Sequence, residues 1–453
     1  MEARLGVDLS LEVAMIVDAL LLLQSLLVVV RVADRTVYSP IFWYIALHAY
    51  SVTFRLITLN LGFGSDPLIG IHSDDELVRA SIASDLGLMG AVAASMWVAH
   101  RAELTPDYLG EVKRPSLKAG LGWVIAIASL AIGTYALIRY SGISAIAESR
   151  GIDLASQNTS SLDLASIPRV LAGFAVQGAL IVCAIRGFSA KSIGLLVLLI
   201  ATSSLGLART FFVLPILLAV LIYLDQHRRD SLSFKWIVAA LVLGVVWFAF
   251  KPFSHGLQAG ESISGAFQDA EDYIAGSRTA GSGDTQFLDM QATFMAAADE
   301  SGKRFYGSTI LPIFYLPVPR FLWPDKPRVN EFAVQLASKS RSFVVEGRTP
   351  NLSGEAYLDF GWFGCAIIPL LYILGMQTAY WRLKYREVSS PARWIYLIFL
   401  VSMVQVFRDG LVSLVLFPLL NFLPLTGWGI GSMVLSARGP VSEFHGLPRM
   451  RQT

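Results

Sequence analysis

Stretches of about twenty apolar residues, the length that crosses a ~30 Å hydrocarbon core as a helix, recur along most of this chain and limit it to very few folds. They fall near 11–30, 40–61, 78–99, 119–138, 170–185, 192–207, 210–224, 236–250, 360–381, 394–407 and 411–435. The pattern predicts an all-α polytopic membrane protein with about eleven transmembrane helices, within a range of ten to fourteen. A single helix over 192–224 would be about 50 Å long at ~1.5 Å per residue, too long for one crossing, so a hairpin through Leu205, Gly206, Leu207 and Ala208 is expected. The first stretch contains Asp18 and has no small-x-small site behind it, and therefore reads as a first membrane helix rather than a cleaved signal peptide. With 54% hydrophobic and 15% charged residues among 453, and a mean hydropathy of +0.57, the chain carries more apolar surface than a soluble domain buries.

Lys and Arg favour the cytoplasmic side of short loops, and here they gather in alternate connections. Arg31 and Arg35, then Arg101, Lys113, Arg114 and Lys118, then Arg186 and Lys191, then Arg228, Arg229 and Lys235, and last Arg382, Lys384, Arg386 and Arg393 mark five of them. The alternation puts the N-terminus outside, the basic C-terminal tail inside, and residues 251–357 outside as one long connection. Three regions follow: an N-terminal bundle of about eight helices over 1–250, the late loop 251–357, and C-terminal helices with a cytoplasmic tail over 358–453. Within the loop, Phe287, Leu288, Gln291, Phe294, Met295 and Ala298 follow helical spacing. They predict an amphipathic helix over 284–299, lying on the membrane or covering the bundle.

Several chemistries are excluded by what the chain does not contain. A formal net charge of +2 gives no reason to expect a nucleic-acid partner. No GxxxxGK[ST] loop occurs, which argues against nucleotide hydrolysis, and the six histidines show no HExxH or helix-spaced pair, so neither a metal nor another cofactor is expected. Cys183 and Cys365 lie inside apolar runs and read as packing residues. Asp74, Asp75 and Glu76 read as a solvated acidic turn at a helix start.

Charges inside the apolar windows are more telling, because each costs about 3 kcal/mol at the bilayer centre and needs a partner. Arg55 is expected to pair with Asp85 or Asp18, or to line a polar cavity with them, and His48, two turns before it on the same face, is a candidate member of that cavity. Cations also collect at the outer edge, against the topology bias: Arg209 at the hairpin, Arg408 in VFRDGL, and Arg320, Lys326, Arg341 and Arg348 in the long loop. Guanidinium groups held there suit an anionic ligand, which they grip through a planar fork. GRTPNLSGEAYLDFGWFG, residues 347–364, sets Glu355 and Asp359 one helical turn apart next to the membrane surface. Such a pair either complements a helix N-terminus or supplies the base that takes a proton from an attacking hydroxyl. Asp325 and His255 are further candidates for that base.

VPRFLWPDKP (318–327), SGEAYLDFGWFG before a helix, an arginine opening a leucine-rich helix at 209, and Arg408 near the end together resemble the Wzy-type polymerases of lipid-linked oligosaccharide repeat units. The resemblance covers about a quarter of the chain. It implies a metal-independent, inverting glycosyltransferase of the polytopic GT-C kind at the periplasmic face of a bacterial inner membrane. Its substrates would be undecaprenyl-diphosphate-linked oligosaccharides of O-antigen or a related polysaccharide. Its pathway partners would be a flippase and a chain-length co-polymerase. Arg209, Arg320, Lys326, Arg348 and Arg408 would hold the diphosphate, with Glu355 or Asp359 as base. An O-antigen ligase, or a flippase or transporter of the same lipid-linked sugar, are the competing expectations. Prolines at 317, 319, 324 and 327 keep the loop segment out of helix, and Trp323 suits the headgroup level.

Overall fold

The computed structural model describes residues 10–32, 36–61, 73–103, 117–140, 167–204, 210–227, 287–315, 350–384 and 390–437, with ten single positions between them. Every apolar window that falls on described residues forms helix, and the window at 236–250 lies outside them. The elements run α1 (Leu11–Val32), α2 (Pro40–His48), a π-helical segment (Ala49–Thr53), α3 (Phe54–Asn60), α4 (Asp74–Glu103), α5 (Ala119–Tyr140), α6 (Ile167–Arg186), α7 (Ala190–Ser204) and α8 (Thr210–Gln226). After the long connection begins they continue as α9 (Phe287–Ser301), the single turn α10 (Pro312–Tyr315), α11 (Leu352–Leu383), α12 (Pro391–Asp409), α13 (Ser413–Val415), a second π-helical segment (Leu416–Asn421) and α14 (Leu423–Ala437). There is no strand among the described residues.

Four of these helices are long and apolar enough to cross a membrane: Leu11–Arg31, Asp74–Ala102, Ala119–Ile138 and Leu352–Leu383. The pair Ser413–Leu419 and Leu423–Ser436, bent by 79°, makes a fifth if it is one span, and three apolar helices are shorter. The protein is thus helical and membrane-embedded. α1 shows the inverted burial this implies: Ile16, Leu20, Leu23 and Leu27 are exposed, while Asp18 is fully buried.

Lipid gives helices no hydrophobic reason to associate, so close packing through small residues must hold them. Gly90 of α4 lies against α11 so tightly that a Cβ there would stand 2.3 Å from the Ala366 carbonyl oxygen. Gly133 of α5 does the same on α6, 2.2 Å from the Ala175 nitrogen. Cys183 and Cys365 are both buried and free, as packing residues would be.

The acidic turn at the start of α4 is a capping box. The Glu76 carboxylate accepts the Ser73 N–H at 3.1 Å, and Ser73 Oγ accepts the Glu76 N–H at 3.3 Å. The expected hairpin is consistent with α7 ending at Ser204 and α8 beginning at Thr210, although its turn lies outside the described residues.

Two elements depart from the reading of the sequence. The window at 411–435 is no single helix: Pro418 and Pro424 each remove a backbone donor, and the chain passes through a π-helical segment before α14. The helix expected over 284–299 exists as α9 but has no solvated face. Leu288, Asp289, Met290, Gln291, Ala292, Thr293, Phe294 and Met295 are all buried, so of the two expected placements, on the membrane or over the bundle, it takes the second and packs into the bundle on its polar side as well.

Candidate functional site

Two carboxylates at the head of α11 organise one end of the bundle. Asn351 caps the helix by accepting the Gly354 N–H at 2.8 Å, which starts the turns that carry Glu355 and Asp359. Both acids are buried. Asp359 accepts the Gly307 N–H at 2.9 Å on one oxygen and the Thr309 hydroxyl at 2.5 Å on the other. The Phe305 and Tyr306 amides donate to the carbonyls of Leu358 and Asp359, at 3.0 and 3.1 Å. Residues 305–309 of the long connection are therefore strapped onto α11 just before Gly361, whose φ of 64° breaks the helix.

Glu355 reaches in the other direction. Its Oε2 accepts the Leu411 N–H at 2.6 Å, just past the end of α12. Gly410 makes that approach possible, since its φ is +80° and a Cβ would lie 2.4 Å from the same oxygen. The Thr309 hydroxyl stands beside both acids. Three segments distant in sequence, 305–309, 351–361 and 410–411, thus meet around Glu355 and Asp359.

The cations expected here divide into those placed and those not. Arg408 stands at the end of α12 with its side chain 45% exposed and its guanidinium 3.3 Å from the Asp409 carboxylate. Arg209, Arg320, Lys326, Arg341, Arg348 and His255 lie outside the described residues. Asp325 is exposed, and Trp323 is half exposed with its ring edge-on to Tyr315.

Two arginines that the sequence did not single out stand near this end. Arg79 of α4 and Arg304 both bind Asp299, at 2.7 and 2.8 Å, and the Tyr357 hydroxyl donates to the same carboxylate at 2.8 Å. Arg304 also stacks over the Tyr357 ring. Asp75 also acts on Arg79, so the two guanidiniums answer more than one carboxylate, and Arg79 is about two-fifths exposed. The available signal was KRF directly before the charge-free run from 305 to 319.

Arg55 does not pair with Asp85 or Asp18. Its guanidinium grips Asp289 of α9 through two bonds, Nε to Oδ2 at 2.7 Å and Nη2 to Oδ1 at 2.9 Å, with both groups buried. Asp289 has the stronger claim because its bidentate geometry satisfies both oxygens. Two residues along α9, Gln291 donates to the Ala80 carbonyl at 2.8 Å and accepts from Ser84 and Asn351 at 2.9 and 2.7 Å. α9 is thereby tied to α3, α4 and the cap of α11.

Asp18 and Asp85 converge on His48 instead. His48 Nε2 lies 2.8 Å from Asp18 Oδ1 and 3.4 Å from Asp85 Oδ1, and all three side chains are buried. Asp18 Oδ2, Asp85 Oδ1 and His48 Nδ1 have no hydrogen-bond partner among the described residues, and Thr53 stands beside Asp18. One ligand atom from each of the three titratable residues lies within 4.8 Å of the others, the spread of a metal-binding trio. The polar cavity expected around Asp18, Asp85 and His48 thus forms without Arg55, and its ligand-like geometry was not readable from spacing because the three come from α1, the end of α2 and α4. No family model matches the chain, nor does any curated protein or solved structure.

Proposed function

We propose that this protein is a membrane glycosyltransferase that polymerises undecaprenyl-diphosphate-linked oligosaccharide repeat units, a Wzy-type enzyme of GT-C-like architecture with about eleven spans. It acts at the periplasmic face of a bacterial inner membrane, on O-antigen or a related polysaccharide. The observation that carries the reading is the meeting of 305–309, 351–361 and 410–411 around Glu355 and Asp359. These are the segments in which the resemblance and the expected base lie.

In the reaction the acceptor sugar hydroxyl attacks the anomeric carbon of the donor glycan. A carbon–oxygen bond forms there as the bond to the diphosphate breaks on the opposite face, the hydroxyl proton passes to Glu355, and lipid diphosphate leaves. Asp359 is the weaker base because both of its oxygens already hold donors, so it is assigned to fastening the 307–309 turn. Arg408, 45% exposed at the end of α12, is the described cation proposed to face an anionic leaving group at this end. Arg209, Arg320, Lys326 and Arg348 are proposed as further diphosphate ligands.

Purified protein reconstituted with two lipid-linked repeat units tests the reading: glycan length should increase without nucleotide, metal or gradient. Unchanged length with substrate crossing the bilayer would mark a transporter. In cells, loss of a polymerase leaves single repeat units on the lipid core, whereas a bare core would mark a ligase.

A further inference from the structure

The buried trio Asp18, His48 and Asp85 plays no part in that reaction, yet it is an electrostatic problem for the fold. Two carboxylates share one imidazole inside an apolar bundle, so the cluster carries a charge of −2 with a neutral ring and −1 with a protonated one. Arg55, the cation nearest in sequence to His48, is committed to Asp289 through both of that acid's oxygens. Asp18 is fully buried and Asp85 is 5% exposed, and an oxygen of each has no hydrogen-bond partner among the described residues. A buried carboxylate in that condition is strongly unfavourable unless a cation or proton answers it.

We propose that Asp18, His48 and Asp85 bind one first-row divalent metal ion, with one imidazole nitrogen and two carboxylate oxygens as ligands. Nitrogen and oxygen donors of this mix suit zinc or its neighbours in that row, and a 2+ charge cancels both carboxylates. The distances from His48 Nε2 to the two acids, 2.8 and 3.4 Å, bracket the donor-to-donor spacing of about 3.3 Å in a tetrahedral site with ~2.0–2.2 Å bonds. Thr53 Oγ1 is the nearest further donor for the fourth position. His48 is the last residue of α2 before the π-helical segment, a local widening of the kind that often accompanies a functional site. The ion would join α1, α2 and α4 where lipid gives them no hydrophobic reason to associate.

Because the cluster is buried, the metal is expected to enter as the chain folds, and the test measures what the full-length protein retains. The protein is produced without a histidine tag in medium supplemented with zinc, manganese or cobalt, purified in detergent, and analysed by elemental mass spectrometry. About one equivalent of one of these metals is expected in the wild type, falling at least ~10-fold in His48→Gln and in Asp85→Asn. X-ray absorption on the wild type should show only nitrogen and oxygen neighbours at about 2.0–2.2 Å, and it decides the matter if the variants do not fold. Wild-type protein holding less than about 0.1 equivalent would overturn the proposal in favour of a cluster neutralised by protons. Unchanged metal in both variants, or sulfur neighbours in the spectrum, would place the metal elsewhere and equally overturn it.

Discussion

Two pairs of buried acids are treated in opposite ways by this protein. Glu355 and Asp359 receive donors from backbone amides and a hydroxyl, delivered by loops at the end of the bundle. Asp18 and Asp85 lie within helices whose own amides are already engaged, and they have one imidazole between them. The difference teaches where carboxylates can be kept without outside help. At helix ends the backbone has unspent donors, whereas mid-helix every donor must come from a side chain or an ion.

The contrast can be broken or sharpened by substitution, with Glu355→Gln giving the largest effect. It keeps the Leu411 contact but loses the base, and elongation of lipid-linked glycan should fall by about 10²–10⁴-fold with the elution profile unchanged. Arg55→Ala probes a third buried acid, Asp289, which is satisfied by a side chain alone. Leaving it uncompensated should lower stability by about 3–5 kcal/mol in a detergent melt, whereas Arg55→Met with Asp289→Leu should recover most of the loss. Gly410→Ala tests whether backbone geometry is what supplies Glu355 with its donor. The methyl meets Oε2 in a strained backbone region, for about 1–3 kcal/mol of destabilisation on the same melt. Thr309→Val, which removes one of the two donors to Asp359, should cost only about 1 kcal/mol and leave the 305–309 strap in place through its amides.

The helices were legible because length and hydropathy report directly on the solvent each segment meets. The windows at 119–138 and 394–407 fall inside α5 and α12, and the acidic turn Asp74, Asp75 and Glu76 does mark the start of α4. What could not be read was partnership across the chain. Arg55 was paired by proximity in the first helices, but its acid comes from residue 289, in a helix whose sequence reads as amphipathic and whose polar residues are in fact its ties to the bundle. That Asp18, Asp85 and His48 share a polar cavity was expected, but that they converge on one another without Arg55 was not. Spacing reveals ligands that share a helix, and these share none. At the candidate site, Glu355 and Asp359 stood out through their helical spacing, but only the fold separates a carboxylate with both oxygens engaged from one turned toward α12.

Gly361 divides α11 into a short head bearing the acids and a long shaft that matches the thickness of a bilayer. The two are not one straight rod. The bend is closed by contacts across it: a Cβ on Gly364 of the shaft would stand 2.2 Å from the Ala356 carbonyl oxygen of the head, and Cys365 Sγ donates to the Ser353 carbonyl at 3.6 Å. Packing at the bend, and not the helix axis, thus fixes where Glu355 stands relative to the span.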